Sequence, residues 1–272
     1  MPTQTLAYRS VPGVPADLLS VDLVLPRRDA GCPAAPLVVY FHGGGYAVGD
    51  KSQQVADKIA LFTAAGWGFA SVNYRLSPFP VRLDEPARVR YPTAQGDGAA
   101  ALRFLADIAG AQGLDHNRLL LLGHSAGAHL AALLSTDARF LAAEGLSRSA
   151  VRCVALLDTE AFDLEALVAE GGDDAQLYQN AIGTDAVTLR EASPLRYVSA
   201  GLSPHWVVTR GGAARQAQAR AYVDALTAFG AVASLQVASG YTHAEVNQAV
   251  GRPGESVVTP ALMAFYSGCT AR

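Results

Sequence analysis

Two short stretches of the chain carry the residue types of acyl transfer: Gly123-His124-Ser125-Ala126-Gly127 and His42-Gly43-Gly44-Gly45. Each follows a short apolar run of strand character. A serine flanked by small residues fits the sharp strand-to-helix turn that lifts a hydroxyl clear of the top of a sheet. Three consecutive glycines leave backbone amides open to close approach, because no Cβ shields them. Together the stretches predict Ser125 as a nucleophile on an acyl carbon, with the developing oxyanion held by the amides of Gly44, Gly45 and Ala126. G-x-S-x-G alone is a weak signal. Its weight here comes from the strand before it, the helical "AGAHLAALL" after it, and the glycine loop two strands upstream. As a phosphate cradle the glycine run is poor, since no Gly-Lys-Ser/Thr follows.

Such a serine needs a histidine base. Of the six histidines, His42 and His124 belong to the two loop motifs and are expected to orient backbone. His129 lies one helical turn past the serine, as a packed helix residue. His116 sits in a polar turn and His205 precedes a strand. That leaves His243 in "ASGYTHAEVN", after the last predicted strand and before a helix.

The elements that must position these groups can be read from apolar runs at 36–42, 67–74, 118–124, 151–158, 205–211 and 232–239. The runs are short, rich in Val and Leu, and not alternating, so they predict a parallel sheet buried on both faces. Helical stretches around 52–65, 95–109, 126–136, 215–229 and 257–267 fall between them. The alternation predicts a doubly wound α/β fold, with "QTLAYRS" and "LLSVDLVLP" as an added antiparallel edge. Ligands bind at the carboxyl ends of such strands, where both motifs lie.

No repeat or low-complexity linker divides the 272 residues, which predicts a single domain over 1–272. Half the residues are hydrophobic and 17% are charged, which excludes a disordered chain. A net charge of −3 offers no basic footprint for nucleic acid or anionic lipid. The first residues show no signal peptide, and no apolar run reaches the roughly 20 residues of a membrane span. Cys32, Cys153 and Cys269 are odd in number and dispersed, which reads as reduced structural thiols in a cytoplasm. The histidines lack ligand spacing, so no metal or cofactor is expected. A homodimer stays open.

"HGGGYAVGDK", "VNYRLSP", "YPTAQGDGAAALRFL", "DHNRLLLLGHSAGAHLAAL" and "YTHAEVNQAVG" together resemble the α/β-hydrolase-fold carboxylesterases of the hormone-sensitive-lipase-like group. "GHSAGAHLA" is also similar to kynurenine formamidases and small feruloyl or acetyl esterases. The resemblance spans roughly 36–267 and implies an α/β-hydrolase fold, a mostly parallel sheet with helices on both faces. It implies His243 as the catalytic histidine and a structural role for Asp97. It also implies an aspartate after the strand at 205–211, completing a catalytic triad. There the chain departs: it reads Arg210-Gly211-Gly212-Ala213-Ala214-Arg215, with no acid near 213–214. Asp224 lies too far along the next helix. A minority of the fold class carries the acid one strand earlier, and here that strand ends in "LLDTEAFD". Asp158 is therefore the candidate acid, its alternative role being a cap of the following segment. A Ser–His diad, Glu245, Glu160 and Asp163 remain open beside it.

The stretch from about 159 to 204 is long for a connection and has helical patches at 164–169 and 175–182, which predicts a small cap. Phe162, Leu167, Tyr178 and Ile182 would line an apolar pocket or pack beneath it. The loop at 75–92, rich in proline and arginine, reads as a solvated surface loop, with a gate or a binding site for an acidic substrate tail as alternatives. A small cap suggests short-chain or aromatic esters. The function expected is a cofactor-independent serine carboxylesterase acting on a small-molecule ester. The alternatives are an arylformamidase, although Tyr46 follows the third glycine where those enzymes often have an aromatic residue one place earlier, and a non-catalytic binding protein on a hydrolase scaffold.

Overall fold

The computed structural model describes the whole chain except Met1, Ala30, Pro86 and Arg272. The apolar runs become the strands β1 (Thr3–Ala7), β2 (Ser20–Val24), β3 (Ala35–Phe41), β4 (Gly68–Val72), β5 (Leu114–His124), β6 (Val151–Leu157), β7 (His205–Thr209) and β8 (Ala233–Val237). They form an eight-stranded sheet in the order β1-β2-β4-β3-β5-β6-β7-β8. β1 and β2 make the antiparallel edge, and β2 runs antiparallel to β4. The pairs from β4 through β8 are parallel.

The helices are α1 (Ala56–Ala64), α2 (Thr93–Ala109), α3 (Ala126–Thr136), α4 (Ala138–Ala143), α5 (Leu164–Glu170), α6 (Gly172–Ile182), α7 (Ala186–Glu191), α8 (Ala213–Ala228), α9 (His243–Ala249) and α10 (Val258–Thr270). They cover both faces, and the period of two along a strand sorts the core into two layers. From β3, Leu37, Val39 and Phe41 join the layer that holds α2, α3 and α8. Val38 and Tyr40 point the other way, toward Phe62 of α1, Val246 of α9 and Tyr266 of α10. Every residue of α3 is buried, which explains why its sequence, His129 apart, is apolar or small all round rather than along one stripe.

The insertion between β6 and β7 folds into α5, α6 and α7. Asp163 and Asp185 accept hydrogen bonds from the first-turn amides of α5 and α7, so each of these short helices begins on a capping side chain. Phe162, Leu167, Tyr178 and Ile182 are all buried in the core layer below. In the 75–92 loop Arg75 grips the buried Asp97, and Arg90 donates to the carbonyls of Arg82 and Leu83.

The thiols depart from expectation. Cys153 of β6 and Cys269 of α10 are joined as a disulfide, while Cys32 is free and exposed. The spacing of 116 residues hid the pair from the sequence. Strand and helix meet only once α10 packs under the sheet. Protein isolated without reductant and then denatured should therefore present one titratable thiol. Reduction should raise the count to three, whereas three thiols before reduction would refute the pairing.

Candidate active site

The turn at Ser125 is built by exclusion of side chains. A Cβ on Gly127 would come 2.1 Å from the carbonyl oxygen of Phe41, and one on Gly123 would come 2.2 Å from the carbonyl oxygen of Gly127. Only glycine fits either place, which is the physical content of the flanking small residues. Between them Ser125 is held at φ 54°, in the left-handed region that side chains rarely adopt. Its amide is fixed by the carbonyl of Leu157 at 2.9 Å. Tyr46 and Asp158 share this rare backbone region, at φ 59° and 51°. Such strain persists where the surroundings over-determine it, often at functional sites.

The glycine loop lies directly against this turn. A Cβ on Gly43 would sit 3.0 Å from that of Ser125. Ala126 opens α3, so its amide is one of the unpaired groups at a helix start. The amides of Gly44, Gly45 and Ala126 donate to no backbone acceptor among the described residues. Tyr46 anchors the loop, its hydroxyl 2.7 Å from Nδ1 of His129, whose Nε2 donates to the carbonyl of Ala192 at 2.8 Å. From above, Leu177 of α6 packs on Gly45, where a Cβ would come within 2.8 Å. His129 and His42 are thus packed, backbone-orienting residues, and burial keeps both neutral, His129 at about 4 and His42 below its usual value.

His243 begins α9, behind Thr242, which with Glu245 closes a reciprocal capping box. Its carbonyl accepts from His124 Nε2 at 3.0 Å, and the two rings lie 4.5 Å apart. Burial, then the charge of His243, push His124 down to about 3, so it acts as a neutral donor that ties residue 243 beside residue 125. One turn into α9, Asn247 holds the helix from below. It accepts from Tyr40 Oη at 2.9 Å, donates to Gln54 at 2.7 Å, and offers its carbonyl to Lys58 at 2.8 Å. Nothing in the local sequence announced this support. No hydrogen bond joins Ser125 Oγ to His243 among the described residues. Such bonds are often long before substrate binds.

Asp158 follows β6 and is the carboxylate brought to His243. Its amide donates to the carbonyl of Val208, extending the β6–β7 register by one residue. It is fully buried, and Oδ2 accepts from His243 Nδ1 at 2.6 Å. The same oxygen accepts from Arg210 Nε at 2.7 Å, and Oδ1 accepts from Arg215 Nη1 at 3.3 Å. Burial works to raise this carboxyl's pKa. The His243 hydrogen bond and the charges of Arg215, His243 and Arg210 outweigh it and hold the group below the usual aspartate range. The other candidate acids are occupied elsewhere: Asp163 caps α5 and Glu245 caps α9. The loop that lacks an aspartate thus supplies two cations to Asp158. The sequence showed Arg210 and Arg215 plainly, but only as the absence of an acid.

Glu160 lies against Arg215 outside hydrogen-bond geometry, and its Oε2 has no donor. Burial is the main reason its pKa rises from 4.5 to about 7, with Arg215 opposing and Asp174 adding to the rise. Among the described residues no three His, Cys, Asp or Glu side chains converge on a metal-ligating position. A cavity of about 160 Å³ touches Gly43, Gly44, His124 and His243. Because the folded state binds the Glu160 proton more tightly than the unfolded chain does, stability should fall as pH rises from about 4.5 through about 7. Glu160→Gln should accordingly raise the melting temperature by several degrees at pH 8.5 and leave it nearly unchanged at pH 5. An equal effect at both pH values would contradict this assignment.

The chain is 35% identical over 119 residues to an ethyl acetate hydrolase of Pseudomonas putida, a match taking in 44% of this chain and 35% of that one. It is 36% identical over 106 residues to a carboxylesterase of Mycobacterium tuberculosis, covering 38% and 30%. The matched segments span about a third of the length of these curated relatives. Among solved structures, a thermophilic esterase of Thermogutta terrifontis superposes with a TM-score of 0.74 at 20% identity, over 98% of this chain and 90% of that one. Esterase B of Lactobacillus rhamnosis gives 0.77 at 21%, over 99% and 85%. At those identities the likeness is one of fold. The model of the family described as the alpha/beta hydrolase fold matches residues 38–247, most of the chain, and to that family the chain belongs.

Proposed function

We propose that the chain is a serine carboxylesterase that hydrolyses esters of short-chain or aromatic acids without a cofactor. The observation that carries this reading is the 2.6 Å hydrogen bond from His243 Nδ1 to the buried Asp158, beside a serine held at φ 54°. In this mechanism Asp158 fixes the imidazole with Nδ1 protonated, leaving Nε2 as the base. His243 takes the Ser125 proton as Oγ attacks the ester carbonyl. The amides of Gly44, Gly45 and Ala126 stabilise the tetrahedral oxyanion. His243 then returns the proton to the leaving alcohol, and a water, activated by the same histidine, releases the acid from Ser125.

We take residues 159–204 as a small cap over a single domain. Phe162, Leu167, Tyr178 and Ile182 serve there as packing rather than as an open pocket, since all four are buried. Side chains that fill the space beneath the cap favour a compact substrate. The ethyl acetate hydrolase among the relatives points the same way. No helix among the described residues is long and apolar enough to cross a membrane. Against the cytoplasmic location expected from the sequence stands the Cys153–Cys269 bridge, because disulfides persist in oxidising compartments.

Hydrolysis of acetyl and propionyl esters should exceed that of octanoyl esters by at least about tenfold in kcat/KM, and Ser125→Ala should reduce it to the uncatalysed background. Phenyl acetate should be cleaved faster than an N-formyl aromatic amine. The reverse order would mark a formamidase. Undiminished hydrolysis in Ser125→Ala would end the reading altogether.

A further inference from the structure

The turn between β7 and α8 carries no acid, yet it delivers two guanidinium groups to one carboxylate. Arg210 Nε reaches Asp158 Oδ2, the oxygen that also accepts from His243. Arg215 Nη1 reaches Oδ1 at 3.3 Å and the Asp158 carbonyl at 3.4 Å. Its Nη2 reaches Asp174 in the first turn of α6 at 3.2 Å. Because β6 and β7 pair in register up to Leu157 and Val208, Asp158 emerges opposite Thr209, one residue before Arg210.

We propose that Arg210 and Arg215 are positioning residues that clamp the acid of the Ser–His–Asp arrangement, and that Arg210 also offsets the charge which the carboxylate presents to the histidine. This rests on the roles given above to Asp158 and His243. The division of work follows from which oxygen each arginine holds. Arg215 fixes the carboxylate from the side away from the histidine and ties it to the inserted helices through Asp174. Arg210 shares the histidine's own oxygen. It withdraws part of the negative charge that the carboxylate would otherwise present to an imidazolium.

The other charged or titratable groups around His243 are few. His124, at the end of β5, is held neutral, and Lys58 of α1 acts on His124. Glu160 follows Asp158 and faces Arg215. Glu245, on the histidine's own helix, is engaged in the capping box. Of the cations among the described residues, Arg210 is the one bonded to the oxygen that His243 uses, so its removal is the perturbation that isolates the effect.

The test compares the wild type with Arg210→Gln and Arg210→Lys, following the His243 imidazole by NMR titration and, in parallel, the acid limb of kcat/KM for a short-chain ester. Removing the cation should move both midpoints up by about half a unit to one unit. The lysine variant keeps the charge but not the guanidinium geometry, and should stay within about 0.2 unit of wild type. A glutamine variant whose midpoint stays put or falls would overturn the proposal, as would a lysine variant that shifts as far as glutamine. The NMR midpoint reads the clamp whether or not the ester is turned over. Failure of the esterase reading would appear separately, as absent hydrolysis in the wild type.

Discussion

A fully buried carboxylate cannot remain ionised without partners, because desolvation disfavours its charge by several kcal/mol. At Asp158 those partners come from three separate places: His243 from the start of α9, Arg210 from the turn after β7 and Arg215 from the first turn of α8. Each must be delivered accurately, so this one group constrains the carboxyl edge of the sheet. The capping box at Thr242 and the Asn247 anchor on α9 act in the same sense, since both limit where His243 can sit. In the proposed mechanism an acid one strand from the expected position can serve, because loops after neighbouring parallel strands converge on the same edge.

The other half of the site rests on backbone rather than charge. The close approach of Gly127 to Phe41 and of Gly43 to Ser125 sets the serine turn and the glycine loop against each other. Tyr46 and His129 then hold that pair from beneath, while Leu177 closes it from above. In the proposed mechanism little has to move before attack, because the oxyanion donors are fixed by packing. The inserted helices meet both halves, through Leu177 at the glycine loop and through Asp174 at Arg215.

Local patterns made much of this legible. Apolar runs marked the strands to within a few residues, and the glycine and serine motifs marked the two loops, because each depends only on neighbours in sequence. The proposed base followed by elimination, while for the proposed acid Asp158 stood beside a diad, Glu245, Glu160 and Asp163. What stayed hidden depends on distant pairing. Cys153 and Cys269 meet only through the packing of α10. Lys58 and Asn247 meet only where α1 and α9 share a face. Arg210 and Arg215 had no visible partner until β6 and β7 lay in register. The helices α4 and α7, each of six residues, are too short to show a period.

The central claim is that Asp158 serves the histidine. The most direct measurement is the rate at which a fluorophosphonate labels Ser125 in Asp158→Asn, set against Glu160→Gln and Asp163→Asn in protein of verified fold. Labelling reads activation of the serine without requiring knowledge of the natural ester. The account predicts that Asp158→Asn slows labelling by roughly 10²–10⁴-fold, while the other two stay within a few-fold of wild type. Labelling at the wild-type rate in Asp158→Asn would contradict it.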